Sequence, residues 1–319
     1  MRRTLLGAAV VAVAAAGLPA LAHADSAGTA GAAWVGSCVS PDESSRACGA
    51  WRLRLRSGKQ VTVADAAATS VDAAGRATDE TGAFAVSADG RWIVYERGSD
   101  HRLAVRRAAG GRVTLLPKSL TRLGTDVLTV RLSPSGDRVL LEYDDTDAKE
   151  PGKIVTVATG KIVELSAGDD LEGFSADGDE VLAQRYNNDN TTTLLAVGLD
   201  GSRFAQVPPQ VVINAAARAL AADGRTVAVL AGERPRLRLY DLSTDRLAAA
   251  VDVPLPKGSE VYHIQWSGAD RLTVKTQSGG DDKPTVVRVL TVDTATGAVK
   301  PVETFTFTAR QHAWMTAGE

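Results

Sequence analysis

Apolar positions along this chain fall in short runs broken by turn-forming residues, not at the three-to-four spacing of an amphipathic helix. One phrase recurs. Residues 84–95 read FAVSADGRWIVY, 130–141 read VRLSPSGDRVLL, 173–182 read GFSADGDEVL, 219–228 read ALAADGRTVA and 264–273 read IQWSGADRLT. The aligned positions Ser87, Ser133, Ser175, Ala221 and Ser267 are 46, 42, 46 and 46 residues apart. A period near 45 with strand-like content is the mark of propeller blades.

Each unit shares one grammar. A short apolar strand ends in a Ser-x-Asp-Gly-type turn, rich in residues that tolerate tight backbone geometry. A second apolar strand follows, then a variable polar loop, then a third strand and a hairpin into a fourth. The hairpin turns are Ala109–Arg112, Thr159–Lys161, Asp200–Ser202, Ser243–Asp245 and Thr296–Ala298. Four strands per unit make one blade, and no amphipathic helix of ordinary length interrupts the series, which is the all-β pattern. Runs such as Trp92 to Val94, Val139 to Leu141 and Val227 to Val229 are continuous rather than alternating, so these strands are expected to be buried on both faces.

These phrases resemble the WD40-like repeats of TolB-type propellers, whose motif reads roughly Phe-Ser-Pro-Asp-Gly followed by apolar residues. The resemblance covers five units, about residues 81–307. Only the unit at Val130 keeps the proline, and no Trp-Asp closes the third strands, so the eukaryotic WD40 signature is absent. The resemblance implies the fold, and a binding or scaffolding module or a propeller attached to a peptidase domain.

A sixth blade is expected to be split. Residues 51–56, 57–59 and 60–63 read as third strand, turn and fourth strand, and Ala33-Trp34-Val35 resembles the start of a second strand. The missing first strand is supplied by 312–319, which aligns with 83–90. An alternative takes Ser40-Pro41-Asp42 as the turn of an abbreviated blade built from the N-terminus alone. The expectation is therefore an all-β, six-bladed propeller of four-stranded antiparallel blades, its ring closed by a C-terminal strand joining the N-terminal blade.

The N-terminus has its own pattern. Arg2 and Arg3 precede an apolar run from Leu5 to Leu18, and Ala22-His23-Ala24 is a small-x-small site. This pattern predicts a secretory signal cleaved after Ala24. The run falls short of the ~20 residues of a spanning helix, although an uncleaved anchor is the competing reading. The arginine pair loosely fits twin-arginine export, and no Cys follows for a lipid anchor. The expected organisation is a signal at 1–24, a short lead at 25–32 and one propeller at 33–319. The mature chain would hold 34 Lys and Arg against 38 Asp and Glu, a charge of −4, which argues against a nucleic-acid partner. The abundance of Ala and of Arg over Lys suggests a GC-rich bacterial genome.

The only cysteines, Cys38 and Cys48, are ten residues apart. Outside the cytosol such a pair is most simply a disulfide; free thiols or a two-ligand metal site are the alternatives.

Catalytic signatures do not emerge. There is no Gly-x-Ser-x-Gly elbow, no His-Glu-x-x-His and no phosphate-cradling Gly loop before a helix. The acidic run Asp144 to Asp147 lacks the Gly and distal Glu of a calcium loop. His263 and His312 occupy equivalent positions, four before Ser267 and Thr316, and are weak candidates for the central channel, against the simpler reading of two buried or water-bonded histidines. The loops between second and third strands, at 97–102, 144–151, 187–190, 232–235 and 277–284, vary in length and should share one face of the disc, where binding on a rigid scaffold is commonly carried. The sequence thus predicts a secreted, monomeric binding propeller without catalytic residues, cofactor or metal. Its ligand is expected to be a protein, peptide or cell-envelope component on the variable-loop face. The alternative is a lactonase- or lyase-type enzyme with a channel metal.

Overall fold

The computed structural model describes residues 26–39, 44–144, 150–232, 234–280 and 283–319. The expected signal peptide and the turn at Ser40-Pro41-Asp42 lie outside them. The strands in chain order are β1 (Ala30–Val39), β2 (Ser45–Leu55), β3 (Gln60–Val63), β4 (Thr69–Val71), β5 (Ala77–Thr81), β6 (Phe84–Val86), β7 (Trp92–Glu96), β8 (Leu103–Arg107) and β9 (Thr114–Leu115). They continue as β10 (Leu128–Leu132), β11 (Arg138–Tyr143), β12 (Lys153–Thr156), β13 (Ile162–Glu164), β14 (Asp170–Phe174), β15 (Glu180–Tyr186), β16 (Thr192–Gly198) and β17 (Arg203–Gln206). The last are β18 (Ala217–Leu220), β19 (Thr226–Ala231), β20 (Arg236–Asp241), β21 (Arg246–Leu247), β22 (Val251–Asp252), β23 (Glu260–Gly268), β24 (Arg271–Gly280), β25 (Lys283–Asp293), β26 (Val299–Phe307) and β27 (Gln311–Thr316).

Hydrogen bonding sorts them into six antiparallel blades. Blades one to five are β6–β9, β10–β13, β14–β17, β18–β21 with β22 added beside β20, and β23–β26. The sixth runs β27-β1-β2-β3, so the ring is closed as the sequence predicts. Opposite Thr316, Met315, Trp314 and Ala313 stand Ala32, Ala33, Trp34 and Val35. The abbreviated N-terminal blade is excluded by this pairing. β1 begins at Ala30, within the segment read as a lead. Two features were not foreseen. A β4–β5 hairpin lies outside the blades, bridged to Gly124 and Thr125 ahead of blade two. Among the described residues one four-residue α-helix, α1 (Gln210–Ile213), precedes blade four.

The recurring turn owes its form to one buried hydroxyl. Ser87, Ser133 and Ser175 are each fully buried. Each Oγ accepts the backbone N–H five residues on, at 3.0 Å in all three, and donates to an Asp carboxylate two or four residues ahead. The glycine three residues after each Ser has φ near +73° to +85°, the left-handed region that favours glycine. A polar side chain thus sits at the inner end of blades one, two and three without an unsatisfied group.

The core lies between blades, one layer per interface. Ile93 and Tyr95 pack toward the split blade with Trp51 and Phe84, whereas Val94, between them, packs toward blade two. Val139 and Leu141 face blade one and Leu140 faces blade three. Val227 and Val229 face blade three, and Ala228 and Leu230 face blade five. Alternate side chains of one strand enter two different cores, so both must be apolar. The seam between blade five and the split blade is filled by Ala32, Val287, Val289, Phe305 and Phe307.

Candidate functional site in the central channel

The innermost strands β6, β10, β14, β18, β23 and β27 surround a channel. At its waist is a cavity of about 90 Å³ lined by Arg131, Glu172, Arg218, His263, Gln265 and Glu319. One mouth opens on the face of the variable loops, where about 500 Å³ is bounded by Glu142, Asp144, Asp170 and Gln184. The other opens on the Ser-x-Asp-Gly turns, about 740 Å³ lined largely by small residues such as Ala88, Pro134, Ala176 and Ala222, with Trp266.

The loop-face mouth is strongly polar and internally paired. Arg131 Nη1 lies 3.0 Å from Glu142, whose other oxygen accepts the Leu171 N–H at 2.7 Å and so ties blade two to blade three. Arg218 reaches back from β18 to Glu172, and also donates to Gln184 and to the Val212 and Ile213 carbonyls. Outside the lining of the mouth, Arg185 makes a two-pronged pair with Asp169 at 2.5 and 2.9 Å. Exposed Asp144 and Asp170 stand at the rim.

A second cluster lies where the ring closes. Glu319 Oε1 accepts from Thr316 Oγ1 at 2.5 Å and Tyr262 OH at 2.9 Å, and lies 3.3 Å from the Nζ of fully buried Lys275. Burial alone would raise the Glu319 carboxyl, but Lys275 and the two hydroxyls outweigh it and hold the group below its ordinary value. Burial drives Lys275 down against the pull of Glu319. Tyr262 is raised, first by burial and then by the Glu319 charge.

The structure separates the two candidate histidines. His263 lines the channel waist, and its Nε2 is enclosed with no hydrogen-bond partner although the ring keeps some solvent contact. Burial, reinforced by Lys275, pushes it down to about 3, so the imidazole is neutral. His312 instead turns toward the β1–β2 hairpin, its Nδ1 3.2 Å from Ser45 Oγ. Among the described residues no three His, Cys, Asp or Glu side chains gather closely enough to hold one metal ion. Cys38 and Cys48 form a disulfide across the β1–β2 hairpin, Cα to Cα 5.8 Å. The channel residues Arg131, Glu172 and Arg218 were missed by motif reading. Their signal was present: a charged residue two or three positions before the aligned Ser133, Ser175 and Ala221 in three successive units.

The class of protein defined by this architecture is a six-bladed β-propeller with four-stranded antiparallel blades. No protein-family profile matches the chain, and no curated protein sequence matches it. Solved structures similar to it include a putative TolB from Agrobacterium tumefaciens, with 11% identity and a TM-score of 0.48 over 87% of this chain and 90% of that one. TolB from Acinetobacter baumannii shows 14% identity and a TM-score of 0.47 over 87% of this chain and 65% of that one. A puromycin-hydrolysing peptidase from Mycobacterium tuberculosis shows 18% identity and a TM-score of 0.41 over 85% of this chain and 52% of that one. No helix among the described residues is long and apolar enough to cross a membrane.

Proposed function

We propose that the chain is an exported, non-enzymatic binding propeller whose ligand, a protein, peptide or cell-envelope glycan, docks on the variable-loop face. The observation that carries this reading is the preformed mouth of about 500 Å³ on that face, with its arginines already held by carboxylates. Such groups are fixed before a ligand arrives, so little ordering opposes association. The hairpin disulfide supports an oxidising compartment, and the protein acts as a monomer.

One observation favours the enzyme reading. Glu172, His263 and Glu319 line one cavity. Against it, Glu172 is taken up by Arg218 and Glu319 by Lys275, so neither carboxylate is at liberty to act as a base or a ligand.

The test is capture from secreted and envelope fractions by the wild-type protein and by an Asp144→Lys/Asp170→Lys variant. Both positions are exposed, so the fold should persist. A ligand retained by the wild type and lost by the variant supports the reading. Equal capture by both places the ligand elsewhere.

A further inference from the structure

Beside the channel mouth, on the same face, lies a second cleft of about 490 Å³ between blades three and four. Its walls are the end of β15, the Asn187 to Thr191 loop, and the segment from Val207 to Asn214 that carries α1. Its chemistry differs from that of the channel. Among the described residues no carboxylate lines it, and Asp189 of the loop is turned to Thr191. Arg218 is the single charged side chain at its back, and all its nitrogens are engaged by Glu172, Gln184 and the two α1 carbonyls. The remaining polar groups are neutral amides and hydroxyls.

Those groups are arranged in pairs. Asn187 Nδ2 donates to Thr191 and Thr193 at 2.8 and 2.9 Å, and Asn214 Nδ2 donates to Gln210 Oε1 at 3.1 Å. This orients the amides and leaves Asn187 Oδ1, Gln210 Nε2 and Asn214 Oδ1 for another molecule. Amides both donate and accept, as sugar hydroxyls do, whereas a carboxylate only accepts. Next to them stands Tyr186, 67% exposed, with its OH 3.3 Å from Gln184 Nε2. Val207, 53% exposed, with Pro208 and Ile213, carries the apolar surface across the cleft. An aromatic ring left in water beside oriented neutral amides suits a ligand with one apolar C–H face and an edge of uncharged hydroxyls. A peptide could not add here as a strand, because β15 and β16 are inner strands flanked on both sides.

We infer that this cleft binds a neutral oligosaccharide, with Tyr186 stacked on a pyranose face and the amides of Asn187, Gln210 and Asn214 reading its hydroxyls. This rests on the binding-propeller reading and names the ligand class for its loop face.

The experiment titrates the purified protein with chitotetraose, cellotetraose and maltotetraose, with heparin as an anionic comparator, by saturation-transfer NMR and calorimetry. At least one neutral tetrasaccharide is expected to bind and heparin is not. Tyr186→Ala should weaken binding at least tenfold, while Tyr186→Phe, which keeps the ring, should stay within about threefold. Tyr186 is exposed, so neither change should unfold the blade. Failure of all three sugars, or binding unaffected by Tyr186→Ala, overturns the inference. If the sugars fail while the Asp144→Lys/Asp170→Lys pair still abolishes capture of a protein, the glycan assignment falls and the binding propeller stands. If both fail, both readings fall.

Discussion

Trp34 and Trp314, 280 positions apart in sequence, stand opposite each other across the seam where β1 and β27 pair. Trp314 stacks on Phe307 with ring centroids 4.5 Å apart and planes 6° from parallel, and meets Tyr262 edge-on at 6.2 Å. The seam continues past the strand: Ala317 N–H donates to the Gly31 carbonyl and Gly318 N–H to that of Val86. The tail is therefore bonded to the split blade and to blade one together, as a closing element must be.

Removing residues 311–319 is consequently expected to act as a core deletion. It strips Trp314 from an aromatic stack, worth about 3–5 kcal/mol for such a residue, and leaves Lys275 buried without its carboxylate. At about 2–4 °C per kcal/mol, the melting temperature should fall by at least ~10 °C. A frayed terminus would tolerate the cut, so equal melting of full and truncated proteins would refute the closure.

The hairpin staple has its own readout. The disulfide restricts a ten-residue segment and should contribute about 2–3 kcal/mol. Intact mass should rise by two hydrogen atoms on reduction, the reductant supplying two electrons and solvent two protons, with no thiol alkylated beforehand. Two alkylatable thiols in unreduced, exported protein would sink the claim.

Much of this architecture was legible because propeller blades repeat, and repetition converts weak local signals into a strong one. Ser87, Ser133 and Ser175 show why the motif survives: each hydroxyl closes its turn by the same two hydrogen bonds. The β4–β5 hairpin was not legible, since it occurs once and its residues, among them Asp72, Asp79 and Glu80, read as a polar connection. His263 and His312 hold equivalent places in the repeat yet have different surroundings, for a related reason. Bulges in β23 between Val261 and His263, and at the β1–β27 seam between Val35 and Gly36, change which way equivalent positions point. The cleft around Tyr186 escaped because amides and hydroxyls in a loop look like solvated surface until the fold brings the α1 segment beside them.

The two-faced burial of the second strands is tested by Ile93→Asp. Ile93 is fully buried against Trp51, Phe84 and the split blade. A carboxylate there meets no partner and should cost several kcal/mol. Loss of cooperative melting, or a large fall in its midpoint, is the expected outcome; near-wild-type melting would contradict the assignment of that face.

The last prediction concerns acid. Glu319 holds its proton less tightly in the fold than in the unfolded chain: burial opposes its charge, but Lys275, Thr316 and Tyr262 favour it and outweigh the burial. A carboxyl with a depressed folded-state value contributes stability that is complete above its unfolded value of 4.5 and is lost as pH falls through the folded one. The ring closure should therefore weaken below about pH 4.5 and be insensitive to pH just above it. Glu319→Gln leaves Lys275 buried opposite a neutral amide, which should cost about 3–5 kcal/mol at neutral pH. The same change should flatten the acid limb of the stability profile, since the group that titrates there is gone. Adding Lys275→Met removes the stranded charge and should recover most of the loss. Denaturant melts of the three proteins from pH 3 to 8 decide the matter: an acid limb unchanged by Glu319→Gln would mean that another carboxylate governs it. A double variant no more stable than the single one would mean that Lys275 is not the partner whose burial Glu319 offsets.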